Sequence, residues 1–125
     1  MTMAKIYRGS GFFGKDALGI FDDGKVYEGT GLFSKDIVGS YKDGKIYTGS
    51  GLFGKDQVGS FKDNKIYRGT GLFGKDAVGM CKDGKIYRGV GLFGKDVIGS
   101  YEGDDEEGAA AAALLLLESE LIEEK

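Results

Sequence analysis

From Ala109 to Leu117 the chain reads AAAAALLLL, nine apolar residues in a row with no polar stripe. A helix that is apolar on every side has to be buried on every side or sit in lipid. At ~1.5 Å per residue the run covers only ~14 Å, well short of the ~30 Å hydrocarbon layer of a bilayer. The segment therefore needs a sheath of protein, and the fold of residues 1–103 must leave room for a helix.

Those residues repeat with a period of 20. Lys5, Lys25, Lys45, Lys65 and Lys85 open five copies of the form KIYRGTGLFGKDAVGSYKDG. Tyr7, Gly9, Gly11, Phe13, Lys15, Asp16 and Gly19 have the same residue in every copy. The slot of Arg8 instead holds Glu28, Thr48, Arg68 and Arg88, and that of Ala17 holds Ile37, Gln57, Ala77 and Val97. Slots that vary between copies are read as open to solvent. The departures at Ser34, Asn64 and Cys81 read as drift.

Asp23-Gly24, Asp43-Gly44 and Asp83-Gly84 are two-residue hairpin signals, because that turn requires positive φ. Asp63-Asn64 fits the same turn, since Asn tolerates left-handed backbone best after Gly. With Asp43-Gly44 as the turn, Tyr41 pairs with Ile46, Ser40 with Tyr47, Gly39 with Thr48 and Val38 with Gly49. One face then carries Tyr41, Ile46 and Thr48, including variable slots. The other carries Val38, Tyr47, Gly49 and Gly51, which scarcely change, and it is expected to face inward. A longer turn would exchange the two.

The chain holds 24 Gly and no Pro. In an open sheet so many glycines would cost entropy and pack nothing; their use is to admit another backbone closely. Five hairpins give ten strands, and a barrel of about ten strands leaves a central space that side chains alone fill poorly. An alanine helix is the thinnest available filling, so glycine on the wall is expected to meet alanine on the helix. The expected fold is mainly β: a closed antiparallel barrel of five hairpin repeats around a C-terminal α-helix. Residues 1–103 form the barrel, and residues 104–125 form an acidic linker and a helix in its lumen, in one domain overall. Asp104, Asp105, Glu106 and Glu107 favour a helix N-terminus. The helix is predicted over Gly108–Glu124, with Glu118, Glu120, Glu123 and Glu124 emerging into solvent.

Charge divides along the same boundary. Residues 1–103 carry 16 Lys and Arg against 12 Asp and Glu, whereas residues 104–125 carry eight acids against Lys125. A weakly basic body without an arginine-rich cluster is not expected to bind nucleic acid. With no His and one Cys, neither a disulfide framework nor the usual His/Cys metal site can be assembled. No signal peptide or membrane span is read, which makes the expected location cytoplasmic. No cofactor is expected.

One repeated feature could carry chemistry. Lys15-Asp16, Lys35-Asp36, Lys55-Asp56, Lys75-Asp76 and Lys95-Asp96 would form a band near one rim of a closed ring, suited to an ion or an anionic ligand. Charge pairing or turn capping between hairpins is the preferred reading, since repetition in every copy is what a folding constraint produces. Phe12-Phe13, Leu32-Phe33, Leu52-Phe53, Leu72-Phe73 and Leu92-Phe93 are expected to pack between hairpins, with a membrane-surface role as the alternative. Cys81 stands in the aromatic slot of Phe21, Tyr41, Phe61 and Tyr101 and reads as a smaller hydrophobe. No unique grouping of nucleophile, acid and base exists, so the chain is not read as an enzyme. A structural or binding module is expected. A monomer is favoured, with self-association through Leu114, Leu117 and Leu121 as the alternative.

The GKIYRGTGLFGKDAVGSYKD copies followed by AAAAALLLL resemble the β-flower family, whose barrel-like fold is similar to the Tubby C-terminal domain. The resemblance covers nearly the whole chain. It implies hairpin petals in a ring around a hydrophobic helix, with no established activity. Tubby-like and scramblase-like relatives imply contact with membrane lipid. Val26-Tyr27-Glu28-Gly29 is similar to part of a MORN repeat, although MORN repeats have a different period and build an open sheet.

Overall fold

Four tight turns generate the wall. Asp23, Asp43, Asp63 and Asp83 have φ of 51°, 54°, 54° and 53°, and Gly24, Gly44, Asn64 and Gly84 follow at 82°, 79°, 68° and 81°. Two successive left-handed residues give the turn whose twist matches that of the flanking strands. The turns join β2 (Asp16–Asp22) to β3 (Lys25–Glu28), β4 (Asp36–Lys42) to β5 (Lys45–Thr48), β6 (Asp56–Lys62) to β7 (Lys65–Arg68), and β8 (Asp76–Lys82) to β9 (Lys85–Arg88). The fifth pair has no turn: β1 (Ala4–Arg8) and β10 (Asp96–Tyr101) come from opposite ends of the repeat region and pair with each other. A computed structural model describes residues 4–9, 16–29, 36–49, 56–69, 76–89, 96–117 and 121. Its ten strands form one closed antiparallel barrel. Closure leaves no strand edge for another chain to extend. No helix among the described residues is long and apolar enough to cross a membrane.

The hairpin register is the expected one, with Tyr41 opposite Ile46, Ser40 opposite Tyr47 and Gly39 opposite Thr48. The faces are reversed. Ile6, Val26, Ile46, Ile66 and Ile86 are fully buried, and Phe21, Tyr41, Cys81 and Tyr101 are buried on the inner face beside them. Tyr47 lies on the outer face, half-buried. Its counterpart Tyr7 donates its hydroxyl to Glu102 Oε2 over 2.8 Å. Gly49 is constant for a conformational reason, since it ends β5 at φ 101°. Gly51 lies outside the described residues. The register also slips by one residue between each petal and the next, as between Ile46 and Tyr47 against β6. The extra residue at each slip, Leu18, Val38, Val58, Val78 or Ile98, packs against the core. Val38 therefore reaches the core together with Tyr41, which simple alternation forbids.

Helix α1 (Glu106–Leu116) begins two residues before the predicted Gly108. Leu121 N donates to Leu117 O over 2.9 Å one turn beyond its end. The predicted emergence of Glu118, Glu120, Glu123 and Glu124 falls outside the described residues. Ala109–Ala113 have no exposed surface. The glycines that meet the helix face leucine, contrary to the expected glycine–alanine match. A methyl group built on Gly59, Gly39, Gly19, Gly99 or Gly79 would approach Leu114, Leu115, Leu116, Leu117 or Leu121 to 2.5, 2.5, 2.7, 3.2 or 2.7 Å respectively. At ~100° per residue, these leucines succeed one another around the helix in the order in which β6, β4, β2, β10 and β8 succeed one another around the barrel. Only a helix inside the ring can meet all five strands in that order.

Each of these glycines is held from two sides, because its methyl would also collide with the carbonyl oxygen of Tyr27, Tyr47, Tyr67, Tyr87 or Tyr7 across the strand pair. Gly59→Ala should therefore destabilise the fold by about 1–3 kcal/mol in urea denaturation. Adding Leu114→Ala should recover none of the loss that stems from the Tyr67 carbonyl, so the double variant should remain less stable than Leu114→Ala alone.

Candidate functional site

At the turn end of the barrel the chain leaves β10 through Gly103, at φ 84°, and folds back into the lumen as α1. The acidic stretch holds the helix there. Asp105 is the N-cap: its Oδ1 accepts from Gly108 N over 2.9 Å and its Oδ2 from the Tyr41 hydroxyl over 2.7 Å. Glu107 Oε2 accepts from Gly44 N over 2.6 Å, and Glu106 Oε1 accepts from Asn64 Nδ2 over 2.8 Å. Glu102 Oε1 accepts from Lys5 N over 3.2 Å. Carboxylates in the first turn also suit the positive end of the helix dipole. Two adjacent petals, β4–β5 and β6–β7, and the β1/β10 seam are thus tied to residues 102–107.

Two departures from the repeat belong to this clasp. Asn64 satisfies the left-handed turn as expected, and its amide also donates to Glu106 and to Cys81 O. The Cys81 thiol donates to Glu106 O over 3.6 Å, where the other petals carry a ring. Gly108 is required by the same crowding, because a methyl there would sit 2.5 Å from Phe21 and 2.6 Å from the Tyr41 hydroxyl. Sequence comparison among the copies flags Asn64 and Cys81 as odd, but their shared partner, 42 and 25 residues away, appears only in three dimensions.

Burial sets the titration of this region. It pushes the Cys81 thiol from the ordinary 9.0 up to about 12, a hydrogen bond from Tyr101 opposing the shift and the charges of Glu106 and Asp105 adding to it. Burial and then the hydrogen bond to Asp105 raise the Tyr41 hydroxyl well above the usual tyrosine range. Burial and then the neighbouring Cys81 do the same for Tyr101. All three groups are therefore neutral at physiological pH, and the thiol is neither ionised nor accessible as a nucleophile.

The repeated Lys-Asp band maps to the opposite end. Asp16, Asp36, Asp56, Asp76 and Asp96 begin the even-numbered strands, and each lies in register with the variable slot of the preceding strand: Arg8, Glu28, Thr48, Arg68 and Arg88. The band is therefore uneven around the ring. Arg88 Nη2 bonds Asp96 Oδ2 over 2.8 Å with the carboxylate largely exposed, a geometry that contributes little to stability. Lys15, Lys35, Lys55, Lys75 and Lys95 lie outside the described residues, as do the Leu-Phe pairs. Thr48, the shortest occupant of the variable slot, borders a cavity of about 410 Å³ lined also by Val58, Arg68, Leu114 and Leu115.

A family model described as 6-fold beta flower protein matches residues 2–114, from the start of the wall to the first leucine of the helix. No curated protein and no solved structure matches the chain.

Two outcomes are expected at the clasp. Asp105→Ala should cost about 0.5–2 kcal/mol through loss of the N-cap. The unfolded chain ionises Cys81 and the tyrosines before the folded one does, so the stability these groups contribute is complete below pH 9.0 and declines as the pH rises toward 12. Urea midpoints measured across that interval should fall, and Cys81→Ala or Tyr41→Phe should each flatten the decline.

Proposed function

The chain belongs to the 6-fold beta flower family, and from that premise we propose that it serves as a structural or binding module and not as a catalyst. The single observation that carries this reading is the use of the interior. Among the described residues no charged side chain is buried, the buried Tyr41 hydroxyl and Cys81 thiol bond the helix start, and Asp105, Glu106 and Glu107 each hold the helix in place. The lumen that another barrel of this width would offer to a ligand is occupied by the chain's own helix. What remains for recognition is the outer surface, where the copies differ. The packing also favours a monomer, because Leu114, Leu117 and Leu121 are buried against glycines of the same chain.

The helix is then a structural necessity of the barrel. A chain stopped after Gly103 should lose cooperative thermal unfolding in circular dichroism, and a peptide of residues 104–121 added in excess should restore it. A truncated chain that stayed folded and soluble by itself would remove the basis for this reading.

A further inference from the structure

The outer wall near the turns carries a charge pattern that the fold does not require. Lys42 lies directly opposite Lys45, Lys62 opposite Lys65, and Lys82 opposite Lys85, on three adjacent hairpins. Like charges facing each other across an antiparallel pair are destabilising. Among the described residues none of these six lysines makes an ion pair. Five of them are exposed and Lys65 is half-exposed. Each pair brackets one aspartate, Asp43, Asp63 or Asp83, so each tip keeps two positive charges against one negative.

The slot itself accepts either sign. In the first hairpin it holds Asp22, opposite Lys25, and at the end of β10 it holds Glu102. Three neighbouring lysine pairs are therefore a property of this surface and not of the barrel. Glu106 and Glu107, which lie at the same end, are engaged by Asn64 Nδ2 and by Gly44 N.

The pattern encloses a recess. Between the β4–β5 and β6–β7 hairpins a cavity of about 450 Å³ is lined by Lys45 from one and Lys62 from the next, together with Ser60, Gln57, Phe61 and Asp43. Two ammonium groups, a hydroxyl and an amide suit an anionic oxygen-rich group such as a phosphate, against which the Asp43 carboxylate and that of Glu107 on Gly44 N act. On the same outer face, two residues from Lys45, Lys65 and Lys85, stand the half-buried Tyr47, Tyr67 and Tyr87. Lysine with adjacent tyrosine matches the chemistry of a membrane–water interface. The lysines lie on the convex outside of a barrel, where among the described residues no helix or strand projects to enter a nucleic-acid groove, and diffuse attraction to a charged surface suits them better.

We infer that the wall of β4 to β9 docks on an anionic membrane surface, with the recess between Lys45 and Lys62 taking a lipid phosphate. This rests on the module reading above and adds its partner.

The test uses the full chain, vesicles of phosphatidylcholine with and without phosphatidylserine, and a variant carrying Lys42→Asp, Lys62→Asp and Lys82→Asp. Each substitution installs the residue type that the first hairpin already holds, so the variant should fold and melt at or above the wild-type temperature. The wild type should co-sediment with the phosphatidylserine vesicles alone, at low salt and not at high salt. The variant's affinity should be lower by roughly tenfold or more. Absence of binding at low salt, or equal binding by the variant, would overturn the proposal. So would saturation of the recess by inorganic phosphate, or lysine-dependent binding to a DNA duplex, without vesicle binding. A variant that melts cooperatively but ignores vesicles leaves the module reading standing, whereas one that fails to fold is replaced by Lys45→Gln with Lys62→Gln, judged by the same loss of vesicle binding.

Discussion

Everything in this barrel depends on how closely its wall approaches the helix inside it. Beside the slip between each petal and the next, the backbone crowds against the tyrosine carbonyl of the following strand, and from the lumen side a leucine presses on the same Cα. Only glycine satisfies both contacts. The five glycines thus make a belt of bare backbone, and the leucine end of the helix fits into it while the thinner alanine segment lies nearer the turns. The hydrophobic effect drives the helix in, and the absence of Cβ atoms on the wall lets it arrive.

The wall repeats five times and the helix does not, so the petals cannot all be equivalent. Asp105 finds a hydroxyl at Tyr41, where Phe21 and Phe61 offer none. Glu106 finds an amide at Asn64, where other turns have glycine, and the Cys81 thiol meets its carbonyl. These differences hold the helix at one rotational setting within a wall that is nearly the same in every direction. The seam between β1 and β10 adds to this, since Glu102 binds Lys5 and Tyr7 just before the chain turns inward.

Much of this was legible in the residues. The Asp-Gly pairs gave the turns and the register, the period gave ten strands, and the apolar run gave a helix that needed enclosing. The inward face is not legible in this way, because constancy among copies does not report burial. Tyr47 is constant although it lies outside the wall, Gly49 is constant for its φ, and Ile46, inside, shares its face with variable neighbours. The slip at Val38, where β4 pairs with β3, is not encoded in any single residue, since the same β4 pairs with β5 without one. Asn64 and Cys81 looked like drift because their common partner lies far along the chain.

The sequence alone determined the local geometry: positive φ at the turns, strand length, and a terminal helix too apolar for water and too short for a bilayer. Those are short-range properties of backbone sterics and side-chain polarity. Only the tertiary structure decided which face of each strand looked inward, which glycine met which leucine, and which odd residue gripped the acidic linker. These are contacts between segments distant along the chain, and they exist once the ring has closed around the helix and its first and last strands have paired.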